Sequence, residues 1–219
     1  MELKNKTFLF LGDSITEGWG ASCLENAYWN VFGRNTGARV WADGIAGTRI
    51  APQYTPEPEG FESFARYFGS RVAAMPDEAD VVVVFGGTND YGHGDAPLGT
   101  LADREETTFY GACHCLCVKL LEKYPHAEIV LMTPLHRCNE NDPINGRGVR
   151  NVTNLKGYVE AIREVAEYYG LPVLNLYAIS GIQPEVPVIR ENFMPDGLHP
   201  NDAGHARVAS RLEGFLRTL

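Results

Sequence analysis

Apolar positions along the chain follow two alternating rhythms. Five short β-rich runs recur near 6–11, 38–42, 80–86, 127–133 and 172–176. The third, Asp80-Val81-Val82-Val83-Val84-Phe85, is apolar at successive positions, the mark of a strand buried on both faces by crossover helices. Between the runs stand stripes with helical spacing. Phe61, Phe64, Ala65, Phe68 and Val72 share one face, and so do Phe109, Ala112, Cys113, Leu116, Cys117, Leu120 and Tyr124. A third stripe joins Val152, Leu155, Tyr158, Val159, Ile162, Val165, Ala166 and Tyr169, with Gly170 as its stop. The last helix is expected to open at Pro200, a residue favoured at a first helical position, and to run through Ala206, Ala209, Leu212, Phe215 and Leu216. Strands alternating with helices predict a parallel sheet covered on both sides, a three-layer α/β/α sandwich of about five strands.

Three connections, 44–60, 87–104 and 134–150, exceed the usual few residues. All follow strands, so all overhang the carboxyl edge of the sheet, where open α/β sheets bind their ligands. They are expected to wall a pocket. No internal repeat, low-complexity tract or linker divides residues 1–219, and the length suits one domain.

Composition narrows the function classes. A hydrophobic fraction of 44% with 21% charged residues is that of an ordinary soluble globular protein. The net charge of −9 comes without any basic stripe, which argues against a nucleic-acid partner and against docking on anionic lipid. No apolar stretch approaches the ~20 residues of a membrane span. The apolar run near the amino end breaks at Asp13 and lacks a small-residue cleavage site, so it reads as a strand and not as a signal peptide. The five cysteines, an odd count without paired metal spacing, suit reduced thiols and an expected cytoplasmic location.

The residues able to do chemistry cluster where strands end. Gly12-Asp13-Ser14 follows the first strand, Asp43-Gly44-Ile45-Ala46-Gly47-Thr48 the second, Gly86-Gly87-Thr88-Asn89-Asp90 the third, and Asp196-Gly197-Leu198-His199-Pro200 precedes the last helix. A serine hydroxyl is a weak nucleophile until a base takes its proton and donors hold the oxyanion that follows. Singly, each residue has a plainer use: Ser14 as a helix cap, Asp196 as a turn former, His199 as a surface histidine, Asn89-Asp90 and both Gly44 and Gly47 as turn residues. Four such blocks at four strand ends favour chemistry over coincidence.

In these blocks the chain resembles the SGNH or GDSL-type serine hydrolases. The resemblance spans Gly-Asp-Ser, a glycine after strand two, Gly-x-Asn-Asp and Asp-x-x-His, in that order along nearly the whole chain. It implies a flavodoxin-like sandwich and a serine esterase in which Ser14 is the nucleophile, His199 its base and Asp196 the group orienting the imidazole. It also implies an oxyanion hole of the Ser14 and Gly47 backbone N–H groups and the Asn89 side-chain amide. Gly44 competes for the glycine's part, and the Ile-Ala-Gly-Thr pattern favours Gly47. No Gly-x-Ser-x-Gly elbow is present, which argues against the other large α/β hydrolase group.

Asp13 and Asp90 are expected to brace loops. Cys113, His114, Cys115 and Cys117 cannot converge on one metal ion if they lie on a helix, where residues two apart point to different sides. His93 and His136 lie in long loops as possible pocket lining, while His126 and His205 show no partner pattern. Trp19, Arg49, Tyr91 and the 136–150 loop are candidates for shaping the acyl and alcohol sites. The loops' glycine and polar groups favour a short acyl group or a sugar ester over a long lipid tail. The expectation is thus a carboxylic ester hydrolase needing no metal or organic cofactor, its partner a small-molecule ester. Alternatives are an acyltransferase with the same site, a lysophospholipase or thioesterase, and a non-catalytic flavodoxin-like binding module. Against the last stands Asp13, a carboxylate where a phosphate binder needs a Ser/Thr/Gly-rich loop.

Overall fold

The computed structural model describes residues 1–219. Five parallel strands form one sheet: β1 (Thr7–Gly12), β2 (Arg39–Gly44), β3 (Val81–Phe85), β4 (Glu128–Met132) and β5 (Val173–Leu174), in the order β2-β1-β3-β4-β5. Each expected strand is present, although the fifth shrinks to two residues opposite Leu131 and Met132. Helices fill the crossovers: α1 (Ser14–Glu17), α2 (Tyr28–Thr36), α3 (Phe68–Arg71), α4 (Thr88–His93), α5 (Phe109–Lys123), α6 (Leu155–Tyr168), α7 (Leu176–Ile179), α8 (Pro187–Phe193) and α9 (Asp202–Leu216).

Successive strand residues point to opposite faces, so each strand feeds two cores. Phe8 and Phe10 of β1 join Val81, Val83 and Phe85 of β3, with Tyr28 and Phe32 of α2 and Val208, Leu212 and Leu216 of α9. Leu9 and Leu11 turn the other way, to Val82 and Val84, Phe109, Leu116 and Leu120 of α5, and Tyr158, Ile162 and Val165 of α6. All five side chains of β3 are buried, as expected of a central strand under two helical layers. The fold is the three-layer α/β/α sandwich. No helix is long and apolar enough to cross a membrane.

Two helical expectations change. The stripe from Phe61 to Val72 is not one helix. It divides into a 3-10 turn at Glu62–Ala65, the short α3 and a second 3-10 turn at Val72–Ala74. The cause is two rings with different destinations: Phe64 packs on Gly47, whereas Phe68 is buried against Gly86. The last helix starts after Pro200, because the Asn201 side chain accepts the Gly204 N–H at 3.0 Å and caps it there.

Candidate active site

Sheet register brings the strand-end segments side by side. Gly12 of β1 lies opposite both Gly44 of β2 and Phe85 of β3, so the residues just beyond these three strands leave the same edge of the sheet. Short bonds then tie the segments together. The Arg71 guanidinium donates to the carbonyls of Gly12 (2.8 Å) and Asp43 (3.0 Å) and to Thr48 Oγ1 (3.2 Å). The Asn89 amide donates to the Thr48 carbonyl at 3.0 Å. Asp90 accepts from the Ile50 and Ala51 N–H groups at 3.0 and 2.9 Å, so it braces the loop after β2 from below.

Ser14 opens α1, but it does not cap it. Asp13 does, accepting the Ile15 N–H at 3.0 Å and leaving the serine hydroxyl for another partner. That partner is His199: Ser14 Oγ lies 3.0 Å from Nε2. On its far side the imidazole Nδ1 is 2.7 Å from Asp196 Oδ2, while Asp196 Oδ1 accepts the Leu198 and His199 N–H groups at 2.8 and 2.7 Å. Burial pushes the Asp196 carboxyl up, but the two N–H bonds and the imidazole outweigh it and hold the group below its ordinary range. The three-residue spacing therefore works as a tight turn, with one carboxylate fixing both backbone and ring.

Gly47 stands at φ +73°, with its Cα against the Phe64 ring, so any side chain would be strained and would collide. Its N–H and that of Ser14 donate to no protein acceptor. Gly44 serves another purpose: a Cβ there would strike the backbone of α1 at Thr16–Glu17, so its smallness lets β2 and α1 touch. Asn89, 5% exposed, commits one amide hydrogen to Thr48 and keeps the other.

The decisive comparison concerns the whole run of blocks. Residues 10–207 match the GDSL-like Lipase/Acylhydrolase family.

The chain belongs to that family.

Solved structures share the fold. A Lactobacillus plantarum protein is 31% identical, with 99% of this chain aligning with 98% of that one at a TM-score of 0.81. A possible lipase from Chitinophaga pinensis DSM 2588 shares 22% identity over 98% of both chains, with a TM-score of 0.68. A two-domain esterase active on acetylated mannans shares 22%, with 99% of this chain covering 49% of that one at a TM-score of 0.64. Among curated proteins none matches the chain in sequence.

Around the GDSL-like site stand residues that sequence reading could only propose as lining. Trp19 is 54% exposed, its ring 5.4 Å from the His199 ring and tilted by 42°. His93 packs on Phe64 at 5.6 Å and meets the wholly buried Arg49. Burial, with Arg49 and Arg137 adding to it, lowers His93 to about 4, so it is neutral. Arg49 and Arg147 both pair with Glu57, tying the 44–60 loop to the 134–150 loop. Tyr91 donates its hydroxyl to the Asn139 carbonyl at 2.5 Å and holds the base of the same loop. A crevice of about 10 Å³, no larger than one water, is bordered by Asp13, Thr88, His136, Arg137 and Leu198. A wider hollow containing Thr7, Arg39, Asp80 and His126 opens at the amino edge of the sheet, away from Ser14.

Several functional supports escaped the sequence. Buried Arg71 carries no motif, and neither does the His136–Glu140 pair at 2.8 Å. His205 does have partners: it accepts the Tyr28 N–H at 3.2 Å and donates to the Trp19 carbonyl at 3.1 Å. Its spacing from both residues gives no signal of this. Cys113 and Cys117 are buried in the core, while His114 bonds the Tyr169 hydroxyl and the Leu101 carbonyl, each at 3.1 Å. Nowhere do three His, Cys, Asp or Glu side chains gather as a metal site.

Proposed function

We propose that this GDSL-like protein is a carboxylic ester hydrolase working through an acyl-enzyme on Ser14. The observation that carries the reading is the unbroken run of bonds from Ser14 Oγ to His199 Nε2 (3.0 Å) and from Nδ1 to Asp196 (2.7 Å). As Oγ attacks the ester carbonyl carbon, His199 Nε2 takes its proton, and Asp196 holds the tautomer and steadies the imidazolium. The Ser14 and Gly47 N–H groups and the remaining Asn89 hydrogen are the donors for the oxyanion, all neutral and fixed beforehand. Collapse of the tetrahedral intermediate expels the alcohol, which receives its proton from His199. A water then repeats the sequence on the acyl-enzyme and frees the acid.

The acyl group on this reading is short, with acetylated carbohydrate the favoured substrate class. The 44–60 and 134–150 loops are rich in polar groups and are tied together by the pairing of Glu57 with Arg49 and Arg147, which suits a short acyl group better than a long lipid tail. The fold neighbour active on acetylated mannans lends support without deciding it. The test is a rate series on p-nitrophenyl esters from acetate to octanoate, with Ser14→Ala as control. Hydrolysis greatest on acetate and lost in the variant is expected. A maximum at octanoate overturns the short-acyl assignment, and rates equal in the two proteins overturn the role of Ser14. Products carrying the acyl group on an added sugar or alcohol, in place of free acid, identify a transferase.

A further inference from the structure

Attack on an ester gives a carbon with four substituents: Ser14 Oγ, the oxyanion, the acyl chain and the leaving oxygen. The leaving oxygen must take its proton from His199 Nε2, so it lies on the imidazole side, and the alcohol it carries extends over whatever borders that ring. What borders it is Trp19, 5.4 Å away.

Trp19 is half exposed but fixed at three points. Its backbone N–H donates to the Ser14 carbonyl at 2.9 Å, its carbonyl accepts from His205 at 3.1 Å, and its indole N–H donates to Glu17 at 3.1 Å. A large aromatic face held still beside the proton donor has already lost its rotamer freedom, so a ligand stacking on it orders little more. The surroundings select among ligands. Glu17 touches the indole, Asp196 the imidazole, and Asp202 binds Ser22 three residues beyond Trp19. These carboxylates repel alcohols that carry phosphate. A cationic alcohol is best held among several aromatic faces, and here there is one. A neutral pyranose or furanose ring offers a C–H face to the indole and hydroxyls to the carboxylates.

We infer that Trp19 is the platform on which the alcohol half of the substrate, a neutral sugar ring, stacks during hydrolysis. The inference rests on the ester-hydrolase reading above and assigns to Trp19 the recognition of that substrate's alcohol half.

The experiment measures acetate release from acetylated xylose, ethyl acetate and acetylcholine by the wild type, Trp19→Phe and Trp19→Ala, with Ser14→Ala as blank. The ratio of kcat/KM on the sugar acetate to that on ethyl acetate is expected to fall about tenfold in Trp19→Ala, the size of one stacking contact, chiefly through KM. Trp19→Phe, which keeps a smaller ring, is expected to fall less. A ratio that stays put in both variants overturns the inference, because an imidazole merely displaced by the substitution slows both esters alike. A loss confined to acetylcholine places a cationic alcohol there and overturns the sugar assignment. Absence of any Ser14-dependent release in the wild type removes the hydrolase reading, and the platform with it, which is a different outcome from an unmoved ratio.

Discussion

The side-chain amide of Asn89 donates to the carbonyl of Thr48 at 3.0 Å, so the segment leaving β3 holds the loop leaving β2 in place next to Gly47. One residue therefore both positions the neighbour of Gly47 and keeps a second amide hydrogen, which the proposed mechanism assigns to the oxyanion. Asn89→Ala is expected to lower kcat by roughly 10²–10³ with little change in KM, the usual cost of losing one such donor. Stopped assays on a p-nitrophenyl ester, with melting curves alongside, check this. A near-normal kcat in a folded variant removes Asn89 from the oxyanion hole.

Arg71 is buried and bonds two strand-end carbonyls and the Asp43 carboxylate, the last at 3.3 Å. Replacement by methionine leaves those acceptors and Asp43 without a cation, which is expected to cost about 3–5 kcal/mol of stability. Lysine is a poor substitute, since a point charge cannot reproduce a planar fork. Urea unfolding midpoints measure both variants, and an Arg71→Met protein as stable as wild type contradicts the bracing role.

Glu17 accepts the Trp19 indole N–H at 3.1 Å and the Ala46 N–H at 2.7 Å through one oxygen. It thus couples the imidazole side of the site to the residue before Gly47. Glu17→Ala is expected to reduce kcat roughly ten- to a hundredfold through misplacement of the loop. Glu17→Gln retains an acceptor oxygen and is expected to recover most of that loss. Equal kcat for the two variants points to charge, not placement, as what matters.

Asp13 is 2% exposed, and burial, with the Asp90 carboxylate adding to it, pushes its carboxyl up to about 7. A carboxyl raised above its unfolded value of about 3.9 binds its proton more tightly in the fold. Its stabilising contribution is full below pH ~4 and is lost as the pH rises through 7. Asp13→Asn keeps the acceptor for the Ile15 N–H and cannot ionise. The variant's Tm relative to wild type is expected to climb between pH 5 and pH 8, by something on the order of 5 °C. His93, lowered to about 4, runs the other way, since its unfavourable protonation weakens the fold as pH falls below its unfolded value. It is common to both proteins, so the difference isolates Asp13. An offset that is flat with pH excludes a neutral Asp13.

What could be read from the chain, and what could not, follows from how local each cause is. The strands announced themselves because β3 is apolar at every position, and the first three blocks because they stand where those runs stop, whereas the Asp196–His199 block lies beyond β5, α7 and α8, just before α9. Ser14, His199 and Asp196 meet as expected from their places in the blocks. The Phe61–Val72 stripe misled because its spacing is helical, while Phe64 and Phe68 answer to two different glycines across the fold. Arg49 is legible only as a candidate wall of the acyl and alcohol sites and Arg71 carries no motif, since no pattern in the sequence records that Glu57 or the strand-end carbonyls surround them. Trp19 and His205, 186 residues apart, bond only because α9 packs on α2 beside β1.

Ser14 and His199 are separated by 185 residues, and the amino group of Met1 rests 3.0 Å from the carbonyl of Leu216. Synthesis delivers the Ser14 hydroxyl 185 residues ahead of the His199 imidazole that it meets. In that interval Ser14 lacks the base that the proposed mechanism requires, however well β1 and β3 have formed. Closing so long a loop is slow compared with local pairing, so on the proposed mechanism the appearance of activity in a refolding mixture dates the docking of His199 on Ser14.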